Sequence, residues 1–376
     1  MATIRLIDYF TSRIEASVRI VFRCRVLSSF YRSLRTRNAD FKPGLFAFSC
    51  FAAAWSVLLL YAGGFTTSIE AGMAFLDWPL SNGSINPDGW LRESDKLAEH
   101  SHRLMGAKLG FLAIISAIWH FFREERKRVR LVSYALFWLV VSQGLLGGFR
   151  VLLDQLNTGF DSNVVAQSFA VAHACGAQLV FCSLIAIAVL HSPFWFKGES
   201  AEAIDYGKAR IWGWCAVITL FLQILVGAVM RHSHAGLAIP TFPLASENSL
   251  FPPFWSFPIS IHFAHRVGAV IASVALIGFV VQVFKNQDLR TRLGGNAVAV
   301  IGILIAQIYL GALTIWTVKN AYAATMHMLV GAFLMGSTWM LVFRLYRYKL
   351  ASSSPEVARQ SVGLTPSSAS SESASI

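Results

Sequence analysis

The chain has 376 residues, 55% of them hydrophobic and 14% charged, with a mean hydropathy of +0.55. This balance excludes a soluble globular domain and indicates an all-α integral membrane protein. The formal net charge of +12 does not point to nucleic acid, because Lys and Arg cluster at alternate ends of apolar runs, a pattern that reports membrane topology.

In chain order, residues 1–44 form a basic arm with nine Lys and Arg residues from Arg5 to Lys42. It reads as a cytoplasmic arm in preference to a mitochondrial transit segment. Apolar stretches of about 20 residues, enough to cross a bilayer as helix, follow near 45–63, 103–122, 131–152 and 164–191. Four more lie near 211–230, 263–284, 295–316 and 321–346. Eight transmembrane helices are therefore expected, with membrane lipid as solvent and residues 193–210 as an inner linker. "FREERKRVR" (122–130), "FKNQDLRTR" (284–292) and "FRLYRYK" (343–349) are basic, whereas the alternate loops are neutral or acidic. Both termini are predicted on the cytoplasmic side of a bacterial inner membrane or, alternatively, on the matrix side of the mitochondrial one. Residues 351–376 are Ser-rich without an apolar face, and disorder is expected there. Cys24, Cys50, Cys175, Cys182 and Cys215 all fall in the arm or in spans, so no outer-loop disulfide or thiolate metal site is readable.

The chain repeats itself. "GGFTTSIEAGMAFLDWPL" (63–80) and "GAVMRHSHAGLAIPTFPL" (227–244) share Gly, Ala-Gly, Ala and Pro-Leu at one spacing, and the 164-residue offset that carries 63 onto 227 also carries "QGLLGG" (143–148) onto "QIYLGA" (307–312). The prediction is two pseudo-symmetric four-helix bundles in tandem, 45–192 and 211–350, in parallel orientation because four spans is an even number.

Each half carries one His at the start of its second span, His102 and His265, and one inside its fourth, His173 and His327. Ionisable groups in spans are costly and face an interior or cavity, which makes function the default reading. Packing gives no reason for duplicating such a pair. Zinc needs three or four ligands, and neither half offers a third at matching depth. A heme iron needs only two imidazoles on opposite faces of its macrocycle, and helix bundles build cofactor sites that way.

Neighbouring residues fit this reading without deciding it. Gly106, Gly110, Gly147, Gly148, Gly176, Gly227, Gly268, Gly311 and Gly331 give room for a porphyrin or, equally, allow close helix packing. Arg103 and Arg266, directly after candidate ligands, are either propionate partners or snorkelling interfacial cations. Glu99, one turn ahead of His102, is a proton acceptor or cation stabiliser, or a helix-start acid favoured by the macrodipole. In the second half His262 takes the corresponding place. His100, His232 and His234 read as loop or outer-sphere residues, and His120 and His191 as interfacial imidazoles.

Taken together, "DWPL" after Gly-rich "GGFTTS", "EHSHR", "QGLLGG", "AHACG", "GLAIPTFPL", "IHFAHR", "QIYLGALT" and "ATMHMLVG" resemble the heme A synthase family, over about residues 45–347. The resemblance implies that 45–192 is the half for substrate heme O, coordinated by His102 and His173, and that 211–350 holds a heme b cofactor on His265 and His327. It implies Glu99 as the catalytic carboxylate, and oxidation of the C8 methyl of heme O through hydroxymethyl to formyl. Heme O synthase and an electron-transfer protein are the implied partners; whether the chain forms a homo-oligomer stays open. One branch of the family pairs cysteines in an outward loop, and this chain has none there. Two rival readings remain: a di-heme b carrier of quinol electrons that leaves both hemes unmodified, and a transporter without heme.

Overall fold

A computed structural model describes residues 40–155, 163–197, 206–246 and 248–352. The expected arm, up to residue 39, and the Ser-rich tail, from 353, lie outside the described residues. Eight helices are long and apolar enough to cross a membrane: α1 (Pro43–Ser68), α2 (Ser94–Arg123), α3 (Lys127–Gln155), α4 (Val164–His191), α5 (Gly207–His232), α6 (Phe257–Lys285), α7 (Gln287–Trp316) and α8 (Ala321–Ser352). Among the described residues there is no β-strand, only two isolated bridges, Ser81 with Ser84 and Ser246 with Ser249. Those bridges sit in the two long connections, 69–93 and 233–256, which mark one end of the molecule, the loop end. The opposite, basic end carries the short α2–α3 and α6–α7 connections.

Local chemistry sets the helix ends. Pro43 starts α1, where its missing N–H costs nothing. Asn163 caps α4 by accepting from Ala166 N, and Asn286 caps α7 by accepting from Leu289 N. Many hydroxyls inside the spans bond back to their own helix, as Ser49 does to Leu45 O and Thr66 to Ala62 O, which spares them an unpaired place in hydrocarbon. Three helices begin six or more residues earlier than hydropathy predicts: α2 at residue 94 instead of 103, α6 at 257 instead of 263, and α7 at 287 instead of 295. The first turns of α2 and α7 are polar, and a polar turn outside the apolar slab is invisible to a hydropathy window. Glu99 and His102 therefore lie inside α2.

α1 contacts α2, α2 contacts α3, α3 contacts α4, and α4 returns to α1; α5 to α8 are neighbours in the same order, with α8 returning to α5. α4 and α8 form the seam between the two sets, since α8 also contacts α1 and α4, and α4 contacts α5. Within the apolar windows, 61% of α4 and 56% of α8 is buried, against at most 33% elsewhere, which places these two at the centre. Across the seam, Trp339 donates from Nε1 to Cys182 O (3.0 Å), and Phe181 meets Phe333 edge-on at 6.2 Å.

At the basic end, the α2–α3 connection is held by a buried charge cluster. Arg126 donates from Nε and Nη2 to the two oxygens of Glu124 (2.8 Å each) and from Nη1 to Leu190 O (3.0 Å), while His191 Nε2 lies 2.9 Å from Glu124 Oε2. Burial pushes the Glu124 carboxyl up, but hydrogen bonds from Arg126 and His191 together with the Arg126 charge outweigh it, and the carboxyl is held well below the usual range. His120 stands edge-on to His191 at 4.9 Å. These two imidazoles therefore belong to a packed core.

Candidate functional site

The four duplicated histidines meet in pairs. His102 of α2 faces His173 of α4 with ring centroids 6.4 Å apart and planes at 90°, and His265 of α6 faces His327 of α8 at 6.4 Å and 73°. A metal–imidazole bond is about 2.0–2.1 Å long, and the bonding nitrogen lies about 1 Å from its ring centre. Two imidazoles trans on one metal thus have centroids about 6 Å apart, the spacing of both pairs. Among the described residues no cluster of three or more His, Cys, Asp or Glu side chains is arranged to hold a metal ion. The donor set fits a metal that brings its other ligands with it, as a heme iron does.

Each ring is lodged on a glycine of a neighbouring helix. A Cβ on Gly63 would stand 2.6 Å from His102 Cε1; the corresponding distances are 3.2 Å for Gly147 and His173, 2.9 Å for Gly227 and His265, and 3.0 Å for Gly311 and His327. The 164-residue offset carries Gly63 onto Gly227 and Gly147 onto Gly311. These four glycines act as seats, because any side chain there would push the imidazole out of line. Gly176, Gly268 and Gly331 instead make room for the amides of Gln143, Gln223 and Gln307, and Gly148 for the Trp78 indole. Gly106 and Gly110, four and eight residues after His102, look onto open space, room of the kind a flat macrocycle needs.

Backbone carbonyls fix two of the tautomers. His173 Nδ1 lies 3.0 Å from Gln143 O and His327 Nδ1 lies 3.1 Å from Gln307 O. A carbonyl only accepts, so each Nδ1 carries the proton and each Nε2 holds the lone pair a metal would take, with the Gln307 amide nitrogen 3.4 Å from that of His327. His102 Nδ1 lies near the Leu59 carbonyl without a well-formed hydrogen bond. Beside His265, the Gln223 amide nitrogen is 3.0 Å from Nδ1 and donates to His265 O at 2.8 Å; the repeat puts Leu59 in the place of Gln223 in the first half. The amide oxygens of Gln143, Gln223 and Gln307 are buried without partners, which marks both clefts as polar interiors awaiting a further group.

Arg103 and Arg266, expected as propionate partners, are engaged with the loops at the loop end. Arg103 donates from Nε (3.1 Å) and Nη2 (2.5 Å) to Glu99 Oε1, and reaches the carbonyls of Phe75 (3.1 Å), Asp77 (2.7 Å) and Leu80 (2.5 Å). Arg266 donates to Ile239 O (3.0 Å), Thr241 O (2.5 Å) and Leu244 O (3.1 Å). These are the same three loop positions, since the offset of 164 carries 75, 77 and 80 onto 239, 241 and 244. Both guanidiniums are loop clamps. One residue past a ligand is a rotation of roughly 100° around the helix, which turns the side chain out of the cleft.

Glu99 is 4% exposed and joins the same clamp: Oε1 takes Arg103 and Oε2 accepts from Phe75 N at 3.1 Å. His262 does the second of these jobs in the other half, accepting at Nδ1 from Ile239 N at 3.2 Å, and Arg266 Nε is left buried without a partner. His100 is bonded to Ser81 Oγ (3.0 Å) and packed edge-on against Trp90 at 4.6 Å. Asp77 closes its own turn by accepting from Asn82 N and Gly83 N, both at 2.7 Å; burial raises its carboxyl, and these hydrogen bonds bring it below its ordinary value. His232 ends α5 at the loop end, and His234, two residues on, takes a left-handed backbone (φ 55°).

Two cations passed over in the sequence stand beside the clefts. Arg150 of α3 lies three residues after the seat Gly147 and donates to Gly72 O. Arg231 of α5 lies four residues after the seat Gly227 and donates from Nη2 to Gly64 O (2.7 Å) and Ser68 Oγ (2.6 Å), across the seam on α1. The signal was readable in principle, as a lone Arg within each of the apolar runs "LLGGFRVLL" and "LVGAVMRH". Neither has a repeat counterpart, so self-comparison was blind to both.

Comparison with known proteins places this architecture. The family model described as cytochrome oxidase assembly protein matches residues 46–339. A protein named "Heme A synthase" from Symbiobacterium thermophilum is 30% identical over 266 residues, 68% of this chain and 81% of its own length. Proteins of the same name from Geobacillus kaustophilus and Listeria welshimeri are each 26% identical, over 74% of this chain and 84% and 90% of their own lengths. The chain belongs to the heme A synthase family of cytochrome oxidase assembly proteins.

Proposed function

We propose that this chain oxidises the C8 methyl of heme O to a formyl group, giving heme A, within a bacterial inner membrane and with both termini cytoplasmic. The observation that carries the reading is the pair of imidazole couples at one spacing, each ring seated on a glycine. Substrate heme O lies between His102 and His173, where Gly106 and Gly110 leave open space, and heme b lies between His265 and His327. A heme b held there supplies a one-electron redox centre. With water as the oxygen source, conversion of methyl to formyl releases four electrons and four protons, so electrons leave through a partner protein, and heme O synthase supplies the substrate.

In this reading the chain holds the macrocycle by two Nε2 atoms whose tautomer is preset at His173 and His327. Glu99, three residues before His102, is a fixed negative charge for the reacting edge. A second reading, a di-heme b electron carrier, gains weight from one observation: Glu99 is tied to Arg103 and to Phe75 N, a loop-holding task that His262 shares in the other half. Co-expression with a heme O source and chromatography of extracted hemes separates the two. Heme A formed by the wild type and lost in Glu99→Gln, with both hemes still bound, supports the enzyme. Unmodified hemes throughout overturn it.

A further inference from the structure

The geometry points to Arg150 and Arg231 as a carboxylate-binding device, one guanidinium for each cleft, which takes the propionates of the porphyrin held there. The assignment rests on the heme reading above and adds the residues that orient the ring within it.

The placement comes first. α3 and α5 both run from the basic end to the loop end, so Arg150 stands about 4.5 Å beyond the seat of His173 and Arg231 about 6 Å beyond the seat of His265, at 1.5 Å of rise per residue. A propionate edge pointing toward the loop end comes to that level. Arg150 is bonded to Gly72 in the first-half loop, whereas Ser68 Oγ, which accepts from Arg231, also accepts from Thr325, two residues before His327 on α8. The two cations thus approach the clefts from different helices.

The second argument is the missing counter-charge. A guanidinium in an apolar helix is expensive unless paired, and it has five N–H donors in a fork suited to a carboxylate. Among the described residues, Glu99, Glu124 and Asp288 each pair with an arginine, whereas Arg150 and Arg231 receive only carbonyl and hydroxyl oxygens. The two other cations near the clefts, Arg103 and Arg266, are committed to the loops. At the repeat-related positions the chain has Thr314 and Thr67, and each satisfies its hydroxyl on its own helix, at Leu310 O and Gly63 O. The fold does not need a cation there, so the two arginines are additions to the duplicated frame. Their own bonds fix Arg231 on Gly64 and Ser68 at the loop end of α1, where Gly64 faces Thr325 and Met328 of α8, and Arg150 on Gly72 in the loop that follows α1.

The test compares the free diacid with its dimethyl ester, which keeps the macrocycle and iron but removes both negative charges. Purified full-length protein carrying its heme b is titrated with heme O and with heme O dimethyl ester, followed by the Soret difference spectrum. A charge-assisted fork predicts about ten- to hundredfold tighter binding of the diacid. Arg150→Gln should abolish that preference and Arg150→Lys keep part of it. Arg231→Gln should do the same for heme b against its ester in the second cleft, and should lower the midpoint potential of that heme. Equal binding of acid and ester by the wild type overturns the assignment without recourse to any variant, as does an undiminished preference in Arg150→Gln. If the wild type gives no Soret band with either compound, the heme reading itself fails and this one with it.

Discussion

Gly63→Ala tests whether the imidazoles are seated or merely packed nearby. On an exposed helix this change would stabilise by about 1 kcal/mol. Here the new methyl stands 2.6 Å from His102 Cε1, against an ordinary carbon–carbon contact of about 3.5–4.0 Å, so the ring must move by about 1 Å. The 6.4 Å centroid spacing to His173 leaves no such slack when two bonds of about 2 Å must be kept. Misplacement of a ligand on this scale costs on the order of a hundredfold in affinity. The same substitution at the other seats should cost less as contact relaxes, from Gly227 (2.9 Å) and Gly311 (3.0 Å) to Gly147 (3.2 Å), the mildest. The assay is heme titration of purified variants, with the low-spin signal of bis-imidazole iron read by electron paramagnetic resonance, and with size-exclusion elution as a check on the fold. A Gly63→Ala protein that elutes normally and binds substrate heme with wild-type affinity refutes the reasoning, and so does a larger loss in Gly147→Ala than in Gly63→Ala.

Glu99→Ala should be far worse than Glu99→Gln for stability, because it strands the Arg103 guanidinium and Phe75 N while Gln retains the acceptor for Phe75 N; removing one partner of a buried pair costs about 3–5 kcal/mol, and equal melting temperatures for the two variants would contradict the clamp. Glu124→Gln should lose a similar amount at the basic end, where Arg126 is 1% exposed. The Glu124 carboxyl is held below its ordinary value in the fold, so its contribution is complete above the unfolded value of about 4.3 and drains away as pH falls toward the folded one. A thermal melt series should show the gap between wild type and Glu124→Gln constant from pH 8 to 5 and shrinking below about pH 4; a gap that widens with acid would reverse the sign and exclude the ion pair as its source.

The eight spans were legible because about 20 apolar residues in a row have few other uses, and the histidines because they recur. What escaped shares one cause: hydropathy and repetition report the average chain and its copies, and the decisive features are neither. The first turns of α2, "SDKLAEHSHR", are polar, so the helix bearing Glu99 and His102 seemed to begin too late. The loop carbonyls that Arg103 and Arg266 hold are more than 20 residues away in sequence, so adjacency to a ligand gave no sign of that task. Gly63 drew no notice, since a seat is recognised only when the ring resting on it is visible. Arg150 and Arg231 break the duplication, and a search for likeness discards them.

The central position of α4 and α8 has a consequence for how the molecule can be divided. Each contributes an imidazole to its own cleft and packs against the neighbouring bundle, so each set of four helices, though closed on itself, turns its most buried helix toward the other. A polypeptide ending near residue 192 would offer lipid the face of α4 that packs against α5 and α8, and would either dimerise through that surface or be degraded. Two such fragments, made separately in one cell, should be recovered only as a pair.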